Sequence, residues 1–112
     1  MTASGPRGGS STTDLRIQIR HVAVTLATAD DESRGLLGWA VLDLGMLLVD
    51  AVSIRRTLKG ETRVVMPMTR RERGGRYPVV TVVDAELCGR IFSAVVAEYM
   101  RVRARAGRRV SP

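Results

Sequence analysis

The sequence predicts an α+β fold, in which a small antiparallel β-sheet of about five strands carries one C-terminal α-helix packed on it. Short apolar runs separated by polar or glycine-containing turns occupy residues 15–83, a pattern typical of a strand-rich sheet. Residues 85–105 instead place their apolar side chains along one side of a helix. The 112 residues suffice for one domain with a single modest core, which we place at residues 14–105.

The chain before the sheet predicts little structure. Residues 1–13 are mostly Ser, Thr, Gly and Pro without the hydrophobic segment of a secretory signal, so we expect a disordered lead-in.

Apolar and polar residues alternate over residues 15–19, which predicts the first strand. The alternation changes phase at His21 and continues to Leu26, which favours a bulge. Residues 28–35 predict a polar turn or loop.

Three further strands are predicted in the middle of the chain. Residues 36–42 form an almost continuous apolar run, which indicates a second strand covered on both faces. A turn at Leu44–Gly45 leads to the third strand at residues 46–54. Residues 55–61 form a polar connection with a Lys-Gly turn signal, and residues 62–66 predict the fourth strand.

A basic hairpin follows the fourth strand. Arginines flank Gly74–Gly75, a pair that permits the positive φ of a tight turn. Residues 77–83 are rich in β-branched side chains and predict the fifth strand. Pro67 and Pro78 lack a backbone N–H, so both belong at strand ends or on an edge.

The C-terminal helix is predicted to begin after Asp84. The carboxylate of Asp84 can cap the first backbone amides, and its negative charge interacts favourably with the positive end of the helix dipole. Gly89 lies in the first turns and suggests a close backbone approach. Gly107 is expected to end the helix and leave residues 106–112 as a basic flexible tail. The apolar arc that we expect to be buried comprises Leu87, Cys88, Ile91, Phe92, Val95, Tyr99 and Val102.

Charge is divided unequally along the chain, whose formal net charge is +7. Residues 1–54 contain four arginines and six acids, a balance of −2. Residues 55–112 contain fourteen basic residues and five acids, a balance of +9. Such a one-sided field favours anionic partners. The alternative is a well-solvated surface in an arginine-biased proteome.

Two groups of arginines are candidate nucleic-acid contacts. The hairpin group is Arg70, Arg71, Arg73 and Arg76, and the helix group is Arg90, Arg101, Arg103 and Arg105, followed by Arg108 and Arg109. Guanidinium groups form forked hydrogen bonds with phosphate oxygens, and a two-stranded ribbon can follow a groove. The alternatives are a charged loop tip that prevents edge aggregation and cations that complement the helix dipole.

Catalysis and metal binding have little support in the sequence. His21 is the single histidine, and Asp43 and Asp50 fit strand ends better than a catalytic pair of carboxylates. We therefore predict no enzyme activity, metal site, cofactor or small-molecule substrate. Cys88 is the sole cysteine, which excludes an internal disulfide and fits a reducing cytoplasm. No apolar run approaches the roughly 20 residues of a membrane span.

Aromatic residues are few. Trp39, Phe92 and Tyr99 lie in apolar patterns and are assigned to the core, whereas the place of Tyr77 is open. An aromatic content of 4% argues against a binding mode dominated by base stacking.

Residues 36–99 resemble the stage V sporulation protein G (SpoVG) family of small bacterial septation regulators. The resemblance rests on the order of several short motifs. Ala-Val-Leu-Asp at 40–43 is similar to the end of a family strand, and Val-Val-Met-Pro at 64–67 to its Val-Ala-Met-Pro. Gly-Arg-Ile at 89–91, Ala-Val at 94–95 and Glu-Tyr at 98–99 match the spacing of its helix.

The resemblance implies a small antiparallel sheet with a C-terminal helix, a homodimer formed through the sheet, and a nucleic-acid-binding regulatory role. It puts Arg90 where the family has a basic residue beside the helix glycine. This chain differs from the family at Met68, at Thr81–Val82, in a longer connection at 55–61 and in an apparent insertion at 23–35. The alternative function is a protein–protein adaptor of the septation machinery, and the sequence does not distinguish DNA from RNA.

Overall fold

The computed structural model describes residues 17–110, with side-chain surroundings as far as Gly107. The elements are, in chain order, β1 (His21–Leu26), α1 (Ala29–Ser33), β2 (Leu36–Asp43), β3 (Leu48–Arg56), β4 (Thr62–Val65), β5 (Met68–Arg70), β6 (Arg76–Pro78) and α2 (Ala85–Val110). The predicted α+β class with a C-terminal helix packed on antiparallel strands is confirmed. The predicted lead-in at residues 1–13, the start of the first predicted strand and residues 111–112 lie outside the described residues.

The strands form two antiparallel sheets rather than one sheet of about five strands. β1, β2, β3 and β4 pair in that order, and β5 pairs with β6 in a separate hairpin. The predicted fifth strand at residues 77–83 is present only as the short β6 and is wrong beyond Pro78, because residues 79–84 have no regular secondary structure. Pro78 has no N–H to offer a neighbouring strand. The next amide, that of Val79, donates to the carbonyl oxygen of Pro67 at 2.9 Å and closes the base of the hairpin.

α2 covers one face of the four-stranded sheet, and the core lies between them. The register places Val22 opposite Leu42 on this face. The helix contributes Ile91, Val95 and Tyr99, which recur every four residues. The sheet contributes Val22, Ala40, Leu42, Val49, Val52 and Ile54. Burying one such branched side chain completely stabilises the fold by about 1.5–3 kcal/mol.

The first part of the described chain differs from the prediction. Residues 17–20 are not a strand, and β1 begins at His21, so the second phase of the alternation is the one that forms the sheet. The polar loop predicted at residues 28–35 contains α1. The Thr28 hydroxyl accepts a hydrogen bond from the amide of Asp31 at 3.2 Å. Three acidic residues in the first turn stabilise the helix through their interaction with the positive end of its dipole.

β2 is a strand as predicted, but it is not covered on both faces. Ala40 and Leu42 are buried against α2, whereas Trp39 points to the opposite face and is 42% exposed. The assignment of Trp39 to the core is therefore wrong, because one helix covers only one face of an antiparallel sheet. β3 begins later than predicted, at Leu48, and extends through Arg56 because its last residues still pair with β4.

Asp84 caps α2 as predicted. Its Oδ1 atom accepts hydrogen bonds from the backbone amides of Glu86 at 2.8 Å and Leu87 at 3.2 Å. The helix continues through Gly107 to Val110, so the predicted end at Gly107 is wrong. One glycine inside a helix costs only about 1 kcal/mol relative to alanine, which is too little to end an otherwise favourable helix.

The buried arc of α2 is narrower than predicted. Cys88 and Phe92 are exposed, although the pattern assigned both to the core. They lie at the margins of the arc, beyond the line of contact made by Ile91, Val95 and Tyr99. Gly89 also makes no close backbone approach, because a Cβ atom at this position would have no neighbour within 4 Å.

Candidate nucleic-acid interface

The β5–β6 hairpin presents its four arginines to solvent. The amide of Arg71 donates to the carbonyl oxygen of Gly75 at 3.0 Å, and the amide of Gly74 donates to that of Arg71 at 3.1 Å. Gly74 and Gly75 have φ of 91° and 82°, values that other residues rarely adopt. The hairpin and its glycine turn are thus confirmed. All four predicted arginines, Arg70, Arg71, Arg73 and Arg76, are exposed.

Two of these arginines lie directly opposite each other. Arg70 is the cross-strand partner of Arg76, so their side chains leave the same face of the hairpin. Like charges in this arrangement destabilise a strand pair. Among the ion pairs of the described residues, none involves a hairpin arginine. The pair therefore offers two adjacent cations that an external anion could bridge.

Arg71 is held in place by an aromatic ring. Its guanidinium carbon lies 4.9 Å from the ring centroid of Tyr77, and the ring is itself 41% exposed. This cation–π contact restricts the arginine without neutralising its charge. Tyr77, whose place the sequence left open, thus belongs to the hairpin surface.

The helix arginines have different surroundings. Nη2 of Arg101 lies 2.6 and 2.7 Å from the two carboxylate oxygens of Glu98. The arginine side chain is largely exposed, whereas that of Glu98 is mostly covered. Nη1 of Arg103 donates to the Tyr99 hydroxyl at 2.6 Å and to Glu32 at 3.4 Å. The hydroxyl contact, with a smaller contribution from the carboxylate, raises the pKa of Arg103. Both guanidinium groups therefore already make hydrogen bonds and ion pairs within the protein, which leaves fewer of their donors for a phosphate.

Arg90 and Arg105 complete the helix group of the described residues. Nη2 of Arg90 donates to the carbonyl oxygen of Ile17 at 3.4 Å, which attaches the segment before β1 to the helix. Arg105 is exposed and lines a groove beside β1 with His21 and Val24. Arg108 and Arg109 lie in α2, beyond the residues whose side chains are described.

The two arginine groups lie at different places on the fold. The C-terminal part of α2 runs beside β1, which is one edge of the four-stranded sheet. The hairpin follows β4, which is the other edge. A nucleic acid that contacted both groups would have to pass across the sheet or bridge two copies of the chain.

Sequence reasoning missed a third feature, a groove between the open face of the sheet and the base of the hairpin. We call it the Trp39 groove; it has a volume of about 310 Å³. Its lining includes Trp39, Ser53, Arg55, Val65, Met68 and Arg76. The alternation of Trp39 with the buried Ala40 and Leu42 was the available signal, since it places the indole on the face that the helix leaves free.

Residues 17–110 contain no cluster of three or more His, Cys, Asp or Glu side chains that could hold a metal ion. The same residues contain no helix that is both long and apolar enough to cross a membrane.

Comparisons with known proteins neither support nor contradict the resemblance to the SpoVG family. No family model, no curated protein and no solved structure matches this chain. The resemblance to the SpoVG family therefore stays a prediction from the motifs in residues 36–99.

Proposed function

We propose that this protein is a dimeric nucleic-acid-binding regulator, of the kind that the SpoVG resemblance implies, with no catalytic step. It binds backbone phosphates through the β5–β6 arginines and, in addition, through Arg90 and the arginines late in α2. The observation that carries the proposal is the exposed hairpin, in which Arg70 opposes Arg76 and Arg71 is held over Tyr77. Its location would be the cytoplasm, where nucleic-acid targets are found and where the lone Cys88 stays reduced.

Phosphate recognition follows from the chemistry of the guanidinium group. Its planar set of N–H donors matches two phosphate oxygens at once, and it keeps its charge at any physiological pH. A two-stranded ribbon fits the width of a major groove and can follow the backbone there. Arg101 and Arg103 would contribute less than the hairpin, because Glu98 and Glu32 already neutralise part of their charge.

Dimerisation would double the charge available to one nucleic acid. β1 and β4 are the edges of the four-stranded sheet, and either could pair with the same edge of a second copy. The turn between β2 and β3 also exposes three consecutive apolar side chains, Met46, Leu47 and Leu48. Two linked hairpins would raise the affinity through avidity wherever both reach the same strand.

A salt titration tests the proposal directly. Each phosphate neutralised on duplex DNA contributes about −0.9 to the slope of log affinity against log salt concentration, and about −0.7 on a single strand. Four to six contacts would give a slope of roughly −4 to −5 on duplex DNA. Fluorescence anisotropy with labelled DNA and RNA across a salt series measures it. Affinity that stays flat, or no binding at low salt, would contradict phosphate binding.

The exposed apolar turn at residues 46–48 favours a second candidate, a protein–protein adaptor. In that case the chain would bind neither DNA nor RNA at low salt. Replacing Leu48 by Asp would then abolish capture of the partner, whereas loss of the hairpin arginines would leave it unchanged. Leu48→Asp also disturbs the proposed dimer, so the hairpin arginines separate the two candidates: their loss weakens the measured interaction in the first case and leaves it unchanged in the second.

A further inference from the structure

The open face of the four-stranded sheet has an aromatic centre. Trp39 lies on β2, an inner strand, with Thr25 opposite it on β1 and Ser53 opposite it on β3. Ser53 in turn faces Val65 on the edge strand β4. The indole therefore lies in the middle of a row that crosses the sheet on the side away from α2. A tryptophan that is 42% exposed in such a place can receive a flat ligand on its ring.

Arginines border this indole in opposed pairs. Arg55 on β3 is the cross-strand partner of Arg63 on β4, on the same face as Trp39. Arg70 and Arg76 form a second opposed pair on the adjoining hairpin. Opposed like charges weaken each strand pair, so both positions are more favourable with an anion between them. Arg55 and Arg76 line the Trp39 groove, and no acidic side chain lines it.

We infer that the Trp39 groove binds a single-stranded segment of nucleic acid, with one base stacked on the indole and its flanking phosphates held by Arg55 and Arg76. This rests on the proposed function and adds a strand preference to it. A base in a duplex is covered on both faces by its neighbours, so it cannot offer a face to Trp39. Stacking on an aromatic side chain tolerates any base, whereas the arginines follow the backbone. The hairpin arginines then continue the phosphate path.

Charge decides between a nucleic acid and a second copy of the chain as the occupant. A two-fold contact through this face would bring the arginines of both copies into one interface, without an acidic residue in the groove to compensate. The groove volume of about 310 Å³ lies at the lower end of small-molecule sites, which span about 300–1,000 Å³. A polyanion satisfies the arginines and leaves the sheet edges free for dimerisation.

The chain contains a single tryptophan, so emission excited at wavelengths that its two tyrosines do not absorb reports this groove alone. We expect oligothymidylate to quench the emission on binding. An abasic strand of the same length carries the same phosphates without bases, and it should quench little. A blunt duplex should bind through the hairpin with little quenching. These measurements use the unmodified protein and do not depend on whether a variant folds.

Substitution of the indole supplies the second arm. Trp39→Leu should weaken oligothymidylate binding roughly fivefold to 150-fold, the effect of one lost stack. Its affinity for the abasic strand should be unchanged, and Trp39→Phe should retain most of the affinity. A thermal transition close to that of the unmodified protein would show that the variant has folded.

Three outcomes would overturn the inference. The first is equal affinity for the abasic and base-containing strands without quenching, which would still leave phosphate binding by the hairpin intact. The second is dissociation of the assembly by Trp39→Leu in light scattering, which would make this face a contact between copies. The third is the absence of binding to any strand at low salt, which would remove the proposed function as well.

Discussion

Nη1 of Arg103 lies 2.6 Å from the hydroxyl oxygen of Tyr99, one helical turn earlier in α2. The Tyr99 ring is buried in the core at 4% exposure, so the arginine covers the single polar atom of that side chain. The same Nη1 lies 3.4 Å from Oε2 of Glu32 in α1. The contact therefore joins the short helix to the long one across the end of the sheet, which gives Arg103 a structural role besides its charge.

Tyr99→Phe should lower the free energy of unfolding by about 0.5–1.5 kcal/mol, the usual net value of one hydrogen bond. The ring and its packing are kept, so the loss isolates the hydroxyl contact. Urea unfolding followed by circular dichroism measures it. Because the contact raises the pKa of Arg103, its stabilising effect is complete below the ordinary pKa of arginine and is lost only above it. The loss should thus be the same throughout the neutral range, and a loss that varies there would refute this assignment.

Replacing Arg70 and Arg73 together by Ala should make the salt dependence on duplex DNA shallower by about 2, since each phosphate contact contributes about 0.9. Both side chains are exposed, so stability should change by no more than about 0.5 kcal/mol. Anisotropy across a salt series measures the slope, and thermal unfolding measures the stability.

A matched control removes two positive charges elsewhere. Arg34 and Lys59 are both exposed. Arg34 directly follows α1, and Lys59 lies in the turn between β3 and β4, so neither belongs to the hairpin. Their double replacement by Ala lowers the net charge equally and should leave the slope unchanged. Equal effects of the two double variants would mean that only overall charge matters, not the hairpin.

Local signals in the sequence predicted the parts of the fold that depend on near neighbours. Asp84 caps amides two and three residues away, and Gly74–Gly75 makes a turn that its own dihedral angles require. Which face of a strand receives the helix is a property of the whole fold, and that is where Trp39 was misplaced. Phe92 was misplaced for the same reason, because the width of the buried arc depends on how closely α2 approaches the sheet.

The candidate site was predictable to the same degree. The exposure of the hairpin arginines follows from a glycine turn between two short strands. The contact between Arg103 and Glu32 could not be predicted in this way, because Glu32 lies 71 residues away and belongs to a helix that was predicted as a loop. The partner of Arg101 was within reach of sequence reasoning, since Glu98 lies three residues earlier on the same helix and such pairs are common.

Two glycines should respond oppositely to alanine. At Gly89 a Cβ atom would meet nothing within 4 Å, so Gly89→Ala should stabilise the fold by about 0.4–1 kcal/mol through the better helix propensity. At Gly38 it would lie 2.6 Å from the carbonyl oxygen of Thr25, a backbone atom of the neighbouring strand. Gly38→Ala should therefore destabilise the sheet. Urea midpoints compare the two, and a shift of the same sign in both would contradict this account.

The last prediction concerns assembly. Sedimentation at micromolar concentration should report about twice the 12.2 kDa of one chain, because two sheet edges and the apolar turn at residues 46–48 need a partner. Leu48 is 68% exposed at the start of β3, so Leu48→Asp should shift the equilibrium toward monomer. Leu58 is fully exposed in the turn that follows β3, and Leu58→Asp is the matched control that should remain dimeric. A folded monomer in the unmodified protein, or equal dissociation in both variants, would refute a dimer that buries this turn.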